Sequence, residues 1–424
     1  MTTRSDRYNR QRGSILPMVS VLAMTIVAFM GLAFDSSYFY YEKRRVQTAA
    51  DAGALAGAQE LYRGSTTTIT DAARKDTSLN RYTHQVNGVD VTVNHPPASG
   101  SHVGNTNFVE VIVSRPRPTW FIRMFGISSA TVRARAVAGM LDAVGCVYAL
   151  NRDTSNQNNG IFANGTTNST FACGVYSNAN FRTVGGGCVV APSASYSGSY
   201  SNSSSSDSNC GPEEVGQGVP AADPLVGRYT IPATSPCAYN NFKRTSGGAV
   251  VLTPGIYCGG IEIGGSVPSV TFSAGTYVLV GGGLKIGSGA SATGTGVTFF
   301  NTYPGTQMNK YEGITINTSG TVSLTAPTTG TYKALLFYQD PRVIWASNNG
   351  STLTASSTSV FQGILYFPTT DMTYAGNSSS TNSTDGYTIL IGYNIKIAGN
   401  AQVNADYSSL DGGNNPLQRA GFAE

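Results

Sequence analysis

The chain has 424 residues, with 50 glycines, only 12% charged residues and a net charge of +4. That length suits two or three structural units, and so much glycine with so little charge argues against a compact α/β enzyme and for many short strands joined by tight turns. The charge is unevenly divided: residues 1–140 carry 16 Lys+Arg against 9 Asp+Glu, a net +7, and residues 141–424 carry 11 against 14, a net −3. Much of the basic excess lies in a leader beside an apolar run, where membrane topology accounts for it, so nucleic acid is not expected as a partner.

The leader, residues 1–13, holds Arg4, Arg7, Arg10 and Arg12 against Asp6. It meets 21 uncharged residues, 14–34. As a helix at about 1.5 Å per residue this run spans roughly 30 Å, enough to cross a bilayer's hydrocarbon once. Arginines flanking a first span stay cytoplasmic. Residues 14–34 are therefore expected to form a transmembrane helix, with everything after residue 34 outside the cytoplasm.

A helical extension is expected over 35–63. Val46, Ala49, Ala50, Gly53, Ala54, Gly57, Ala58 and Leu61 recur at helical spacing as a stripe of mostly small side chains. Ala50, Gly53, Ala54, Gly57 and Ala58 thus become candidates for close helix packing, against copies of the chain or partner helices. The competing expectation is that the stripe lies on the protein's own small sheet. It is the favoured one, because GxxxG is a weak signal outside lipid.

Residues 64–140 read as a small α+β domain. It comprises a short helix over 71–82, strands over 89–94 and 108–114, a short amphipathic segment over 119–125, and a third strand over 130–137 with Thr131, Arg133 and Arg135 on one face.

From residue 141 to 424 no amphipathic helix is expected. Short apolar strands are punctuated by glycine, and fragments recur: TPGIY at 253–257 returns as SAGTY at 273–277, offset by 20; GGIEI at 259–263 as GGLKI at 282–286, offset by 23; SVTF at 269–272 as GVTF at 296–299, offset by 27. GTY recurs at 330–332, and a related YNIKIAGNAQV runs over 393–403. Irregular repeats of this length fit stacked coils, here a right-handed parallel β-helix (β-solenoid), with a β-sandwich as the alternative. The Ser/Asn-rich stretches 193–209 and 377–385 are expected to be loops leaving the coils. All six cysteines, Cys146, Cys173, Cys188, Cys210, Cys237 and Cys258, fall in this exported region, so disulfides are expected. Many connectivities are open; successive pairing would close intervals of 27, 22 and 21 residues, each about one coil.

With these residues in view, the N-terminus resembles the TadE/TadG-like pilus-assembly family of Flp (tight-adherence) systems. The pattern is Arg12-Gly13, the apolar span, Asp35, Arg45, Gln47, Ala49-Ala50-Asp51-Ala52 and Ala54-Leu55-Ala56-Gly57-Ala58. Trp120-Phe121, Phe125-Gly126 and residues 132–137 resemble the segment that follows in that family. Cys146-Val-Tyr-Ala-Leu, Asp223-Pro224-Leu225, Pro254-Gly-Ile-Tyr-Cys258-Gly-Gly and Gly363-Ile-Leu-Tyr-Phe-Pro368 resemble the β-rich extension of some members. The resemblance implies a pilin-like small domain and a single-pass protein of the bacterial inner membrane, its C-terminal domain periplasmic or surface-exposed. It would act in pilus assembly and surface attachment beside other pilus-assembly proteins, with self-association open. Prepilin-like members are cleaved after a boundary glycine and carry glutamate at the fifth mature position. Cleavage between Gly13 and Ser14 would put Met18 there, which speaks for a retained anchor. The D-x-S-x-S metal motif of some TadG-type proteins is absent from the sequence.

Chemistry is sparse. His84, His95 and His102 are the only histidines and stand in polar or loop contexts. Glu213-Glu214 reads as a solvated loop, and Asp340-Pro341-Arg342 as a turn. The GGG runs at 185–187 and 281–283 lack the lysine and helix of a phosphate loop. With no histidine in 141–424, nucleophilic catalysis has no base. The expectation is no enzyme and no cofactor. The alternative is a surface β-helix that binds or cleaves polysaccharide, for which Tyr196, Tyr200, Tyr374 and Tyr407 are the aromatic candidates.

Overall fold

The computed structural model describes residues 15–142, 145–165, 168–202, 210–287, 289–344, 350–356, 358–376, 386–399, 401–411 and 413–424. Gly13 and Ser14, the candidate cleavage pair, and the Ser/Asn-rich stretch 377–385 lie outside the described residues. The chain forms two compact units, residues 1–141 with 418–424, and residues 142–417.

In the first unit, the apolar run and the small-residue stripe form one helix, α1 (Ile15–Tyr62). Its end follows from Gly64 at φ +77°. There the Gly64 N–H donates to Leu61 O (2.9 Å) and the Ser65 N–H to Glu60 O (3.0 Å), the Schellman pattern that satisfies final carbonyls. Helix α2 (Ile69–Leu79) buries Ile69, Ala73 and Thr77, one residue per turn on a single face. Strands β1 (Asp90–Asn94), β2 (Phe108–Pro118) and β3 (Ser129–Asp142) form an antiparallel sheet. In β2, Val109, Val111 and Val113 are fully buried, and in β3 Val132, Ala134, Ala136 and Ala138 are buried, the period-two set that packs with the α1 stripe. Thr131 and Arg133 on the other face are exposed.

A fourth strand, Gln418–Phe422, completes this sheet beside β3. Residues 418–424 therefore belong to the first unit, not to the 141–424 domain expected from sequence. The Val137 N–H donates to Glu424 O (2.8 Å) and the Ala423 N–H to Val137 O (2.9 Å). The second unit is thus an insertion between two strands of the first unit's sheet.

The second unit is β-rich, and every pairing between its strands, among the described residues, is parallel. That sets aside the antiparallel sandwich. One ladder runs through Tyr239–Arg244, Gly255–Ile263, Gly275–Val280, Val297–Thr302, Leu335–Gln339, Val360–Phe367 and Thr388–Gly392. It continues, not onto later residues, but onto Gly145–Ala149, then Gly174–Ser177, Ser193–Tyr196 and Glu214–Gln217. A second ladder makes the same jump, with Ile395–Ala398 pairing with Gly160–Asn164. The spatial order of strands is therefore permuted relative to the sequence: 239–403 precedes 145–217. A third ladder holds Val250–Leu252, Ser269–Phe272, Ser291–Thr295, Val322–Thr325 and the start of Val360–Phe367.

Residues 218–238 connect the two runs of strands by packing along their side. Asn178 exchanges hydrogen bonds with Ala221 (2.8 and 2.7 Å), and the Tyr366 hydroxyl donates to Asp223 (2.7 Å). Leu225 is fully buried, and the Ala238 N–H reaches Ile256 O (2.9 Å) at the far end.

Two of the sequence repeats are structural repeats. GGIEI and GGLKI sit on adjacent strands, with Ile261 opposite Leu284 and Ile263 opposite Ile286. In TPGIY and SAGTY each tyrosine hydroxyl donates to the carbonyl four residues earlier, Tyr257 to Thr253 (2.7 Å) and Tyr277 to Ser273 (2.8 Å). The third repeat is not one: Ser269–Phe272 lies in the third ladder and pairs with residues 291–294, whereas Val297–Thr302 lies in the first. The expected loop at 193–209 is corrected in part, since Ser193–Tyr196 and Tyr200–Asn202 are ladder strands and residues 203–209 lie outside the described residues. Their small polar side chains satisfy strand geometry because Ala194 alone of Ser193–Tyr196 is buried.

Candidate functional site

The two halves of α1 meet different surroundings. From Ile15 to Phe34 the large apolar side chains are exposed, including Leu16 (80%), Met24 (76%) and Phe29 (68%). This is the one helix, among the described residues, long and apolar enough to cross a membrane. From residue 35 onward one face is buried by the first unit's own sheet and α2.

The candidate packing residues Ala50, Gly53, Ala54, Gly57 and Ala58 all lie on that buried face. A Cβ at Gly53 would stand 2.7 Å from Thr77 Cγ2 and 3.2 Å from Val111 Cγ1; one at Gly57 would stand 3.0 Å from Val109 Cγ1 and 3.3 Å from Ile69 Cγ2. Both glycines are where they are because α2 and β2 approach the helix axis too closely for a side chain.

Polar residues of the family pattern hold the same packing together. Asp35, fully buried, accepts the backbone N–H groups of Trp120 (3.1 Å), Phe121 (2.9 Å) and Ile122 (2.8 Å), where the turn between β2 and β3 opens a short 3-10 helix, Ile122–Phe125. The Gln47 amide donates to Asp51 (2.7 Å) and to Arg135 O (3.0 Å).

Sequence reasoning missed the buried Glu42 and Glu110, which in one dimension look like ordinary surface acids. Glu42 takes Arg117 Nε (3.0 Å) and Nη2 (2.7 Å), the Tyr82 hydroxyl (3.3 Å) and, more loosely, Arg45 (3.5 Å). Burial works to raise the Glu110 carboxyl, but donors from Ser99, Arg135, Asn94 and the Ala98 N–H outweigh it and hold the group at about 2. Arg135 also pairs with Glu424, whose carboxylate accepts from the Ser101 N–H (2.7 Å). The signal that could have found them is the arginines at 115, 117, 133 and 135, alternating along two strands with no other acids nearby in sequence.

The cysteines pair in succession, Cys146–Cys173, Cys188–Cys210 and Cys237–Cys258, with Cα separations of 5.8, 5.4 and 5.7 Å, inside the usual disulfide range. The three histidines do not gather. His84 Nδ1 accepts the Val91 N–H (3.0 Å), His95 meets Thr106 O (2.8 Å), and His102 stacks on Phe108 (4.1 Å).

Among the aromatic candidates, Tyr374 is fully buried and cannot present a face to a sugar. Tyr196 and Tyr200 stack on each other (5.8 Å) with Phe181 beneath Tyr200 (5.5 Å), and Tyr407 packs against Tyr387 (5.4 Å). Asp340 is buried, accepting from Thr302 Oγ1 (2.7 Å), the Arg342 N–H (2.9 Å) and Arg342 Nη2 (2.7 Å), so the Asp-Pro-Arg turn ties two strands together. Glu213 and Glu214 are exposed, with Glu214 opening the strand Glu214–Gln217.

Residues 13–60 match the family model described as "Putative Flp pilus-assembly TadE/G-like", and residues 45–138 match "Putative Tad-like Flp pilus-assembly". No curated protein and no solved structure matches the chain. The two matched segments together span α1, α2 and the β1–β3 sheet, and include Asp35, Glu42, the small-residue stripe and Arg117. Over residues 13–138 the chain is thus similar to the TadE/G-like families of Flp pilus assembly, and these matched segments indicate involvement in Flp pilus assembly.

Proposed function

We propose that the protein is a membrane-anchored structural component of Flp pilus assembly, non-enzymatic, which acts in surface attachment through an exported β-rich unit. The observation that carries this is the division of α1. Its first 20 residues, 15–34, expose apolar side chains that water would not tolerate, and the same helix then continues into a packed domain. The basic leader sets the orientation, with the leader cytoplasmic and both units beyond the inner membrane. Three disulfides suit an oxidising compartment.

The second unit is read as a parallel β-solenoid whose coils are permuted. In support, three parallel ladders share strands at Gly255–Ile263 and Val360–Phe367, where single strands bend from one ladder into the next. As a rigid projection it would serve as a spacer or contact surface for other pilus components.

The small-residue stripe is assigned to internal packing. Gly57→Leu is therefore a folding variant, not a probe of partner binding. The test of the anchor is alkaline extraction of cell membranes, combined with reporter fusions after residue 424. The expected outcome is a chain that stays with the membrane and a reporter active only outside the cytoplasm. Release by alkali, or a reporter active in the cytoplasm, sinks the proposal.

A further inference from the structure

The turn between β2 and β3 carries an apolar cluster that the packing of the first unit does not use. Trp120 is 61% exposed, Met124 84%, Phe125 83% and Ile127 52%. Such a cluster on one short turn is costly in water and marks a contact surface. The turn is firmly built. Thr119 closes its base, its N–H donating to Ser128 O (3.1 Å) and its hydroxyl to Ile127 O, and Gly126 at φ +86° reverses the chain. Asp35 fixes it to α1 through three N–H groups.

Its position on α1 identifies the occupant. Phe121 lies against Gly31, where a Cβ would stand 2.5 Å from its ring, and its ring meets Phe34 edge-on at 6.0 Å. Residues 31–35 are the last turn of the apolar segment, where α1 passes from exposed apolar side chains to a buried face. The exposed cluster is thus continuous with the exposed apolar surface of α1, at the level where hydrocarbon gives way to headgroups. Tryptophan and phenylalanine are favoured at that level, and the exposed Arg123 beside them suits lipid phosphate.

We infer that the 120–127 turn is a second membrane contact, seated in the outer-leaflet interface of a phospholipid bilayer beside the end of α1. It rests on the anchor reading above. Clamped to α1 by Asp35 and Gly31, it would fix the tilt and rotation of the helix relative to the membrane surface.

The sequence holds two tryptophans, so Trp345→Phe leaves Trp120 as the sole tryptophan, whose emission is excited selectively over that of the 23 tyrosines. The full chain carrying this change is reconstituted into phosphatidylcholine vesicles whose acyl chains bear bromine either near the headgroup end or near the bilayer centre. The expected result is co-flotation with the vesicles and loss of Trp120 emission that is greater with the shallow bromines. Met124→Ser with Phe125→Ser, at the two most exposed positions, should still float and should lose most of that quenching. Failure to float would refute the anchor. Flotation with Trp120 unquenched would overturn this inference alone, whether a second copy or another pilus protein covers the turn. Undiminished quenching in the double variant would also overturn it, since α1 would then set the depth of Trp120 unaided.

Discussion

In the first unit the buried carboxylates Asp35, Glu42 and Glu110 each take their donors with them out of water. The second unit also buries Asp340 with its donors, but a row of rings runs through its interior: Tyr239 on Tyr257 (4.4 Å), Tyr257 on Tyr277 (5.9 Å), Tyr277 on Phe299 (5.1 Å) and Phe299 on Phe337 (5.4 Å). The difference follows from what each sequence has to bury. A helix face of Ala and Gly removes little apolar area per residue, so the first unit gains specificity from close approach and directed ion pairs. Parallel strands in register repeat the same inward positions, so the second unit accumulates apolar contacts strand by strand and needs few charges.

The largest effect separating the two is expected from Phe299→Ala. The ring is fully buried between Phe272, Tyr277 and Phe337, and its loss should cost about 4 kcal/mol. Calorimetry of the full chain in detergent should show the transition of the second unit lowered and that of the first unchanged. Parallel losses in both would break the distinction.

Glu110→Gln should do the converse, removing about 3 kcal/mol from the first unit at neutral pH. Here the folded carboxyl is held at about 2, below its ordinary value of 4.5. Its contribution is therefore complete above pH 4.5 and is lost as pH falls through about 2. The gap between native chain and variant should close across that window in acid-unfolding curves; a constant gap would mean the ion pair is not its origin.

Replacing Cys237 and Cys258 by serine opens an interval of 21 residues, and should cost about 3 kcal/mol in the second unit. Urea midpoints of the oxidised native chain and the variant measure it, and reduction should bring the native chain towards the variant.

The smallest effect is expected at Lys285, whose ammonium lies 2.5 Å from Glu312 with both side chains about half exposed. Lys285→Ala should change stability by less than about 0.5 kcal/mol, and salt titration of the native chain should leave the second unit's midpoint almost unmoved. A larger shift would show that surface charge matters in the second unit after all.

Legibility in the sequence followed the range of the interactions. α1 was readable because the uncharged run and the small stripe are local patterns. Adjacent parallel strands were readable at GGIEI and GGLKI, where paired residues lie 23 apart. The pairing of Leu390 with Val147 was not, since it links residues far apart in the chain and no periodicity spans the gap. The connector 218–238 leaves no period because it runs beside the ladders without joining one. Gln418–Phe422 was missed because QRAGF has no buried residue and pairs through its backbone. At the candidate site the stripe's position could be anticipated, but whether a neighbour was an internal strand or another chain required the placement of Val109 and Val111. Glu42 and Glu110 needed their arginines in three dimensions.

The insertion of one unit between β3 and the strand Gln418–Phe422 has a consequence for biogenesis. While the polypeptide is still emerging, β3 has an unpaired edge, and residues 145–149 lack the neighbour that residues 388–392 later supply. The first unit cannot complete its sheet before the whole of the second has crossed, and the second cannot join its two runs of strands before residues 388–392 have, so maturation is late. A translation product interrupted before Gln418–Phe422 would display an open strand edge to quality-control proteases.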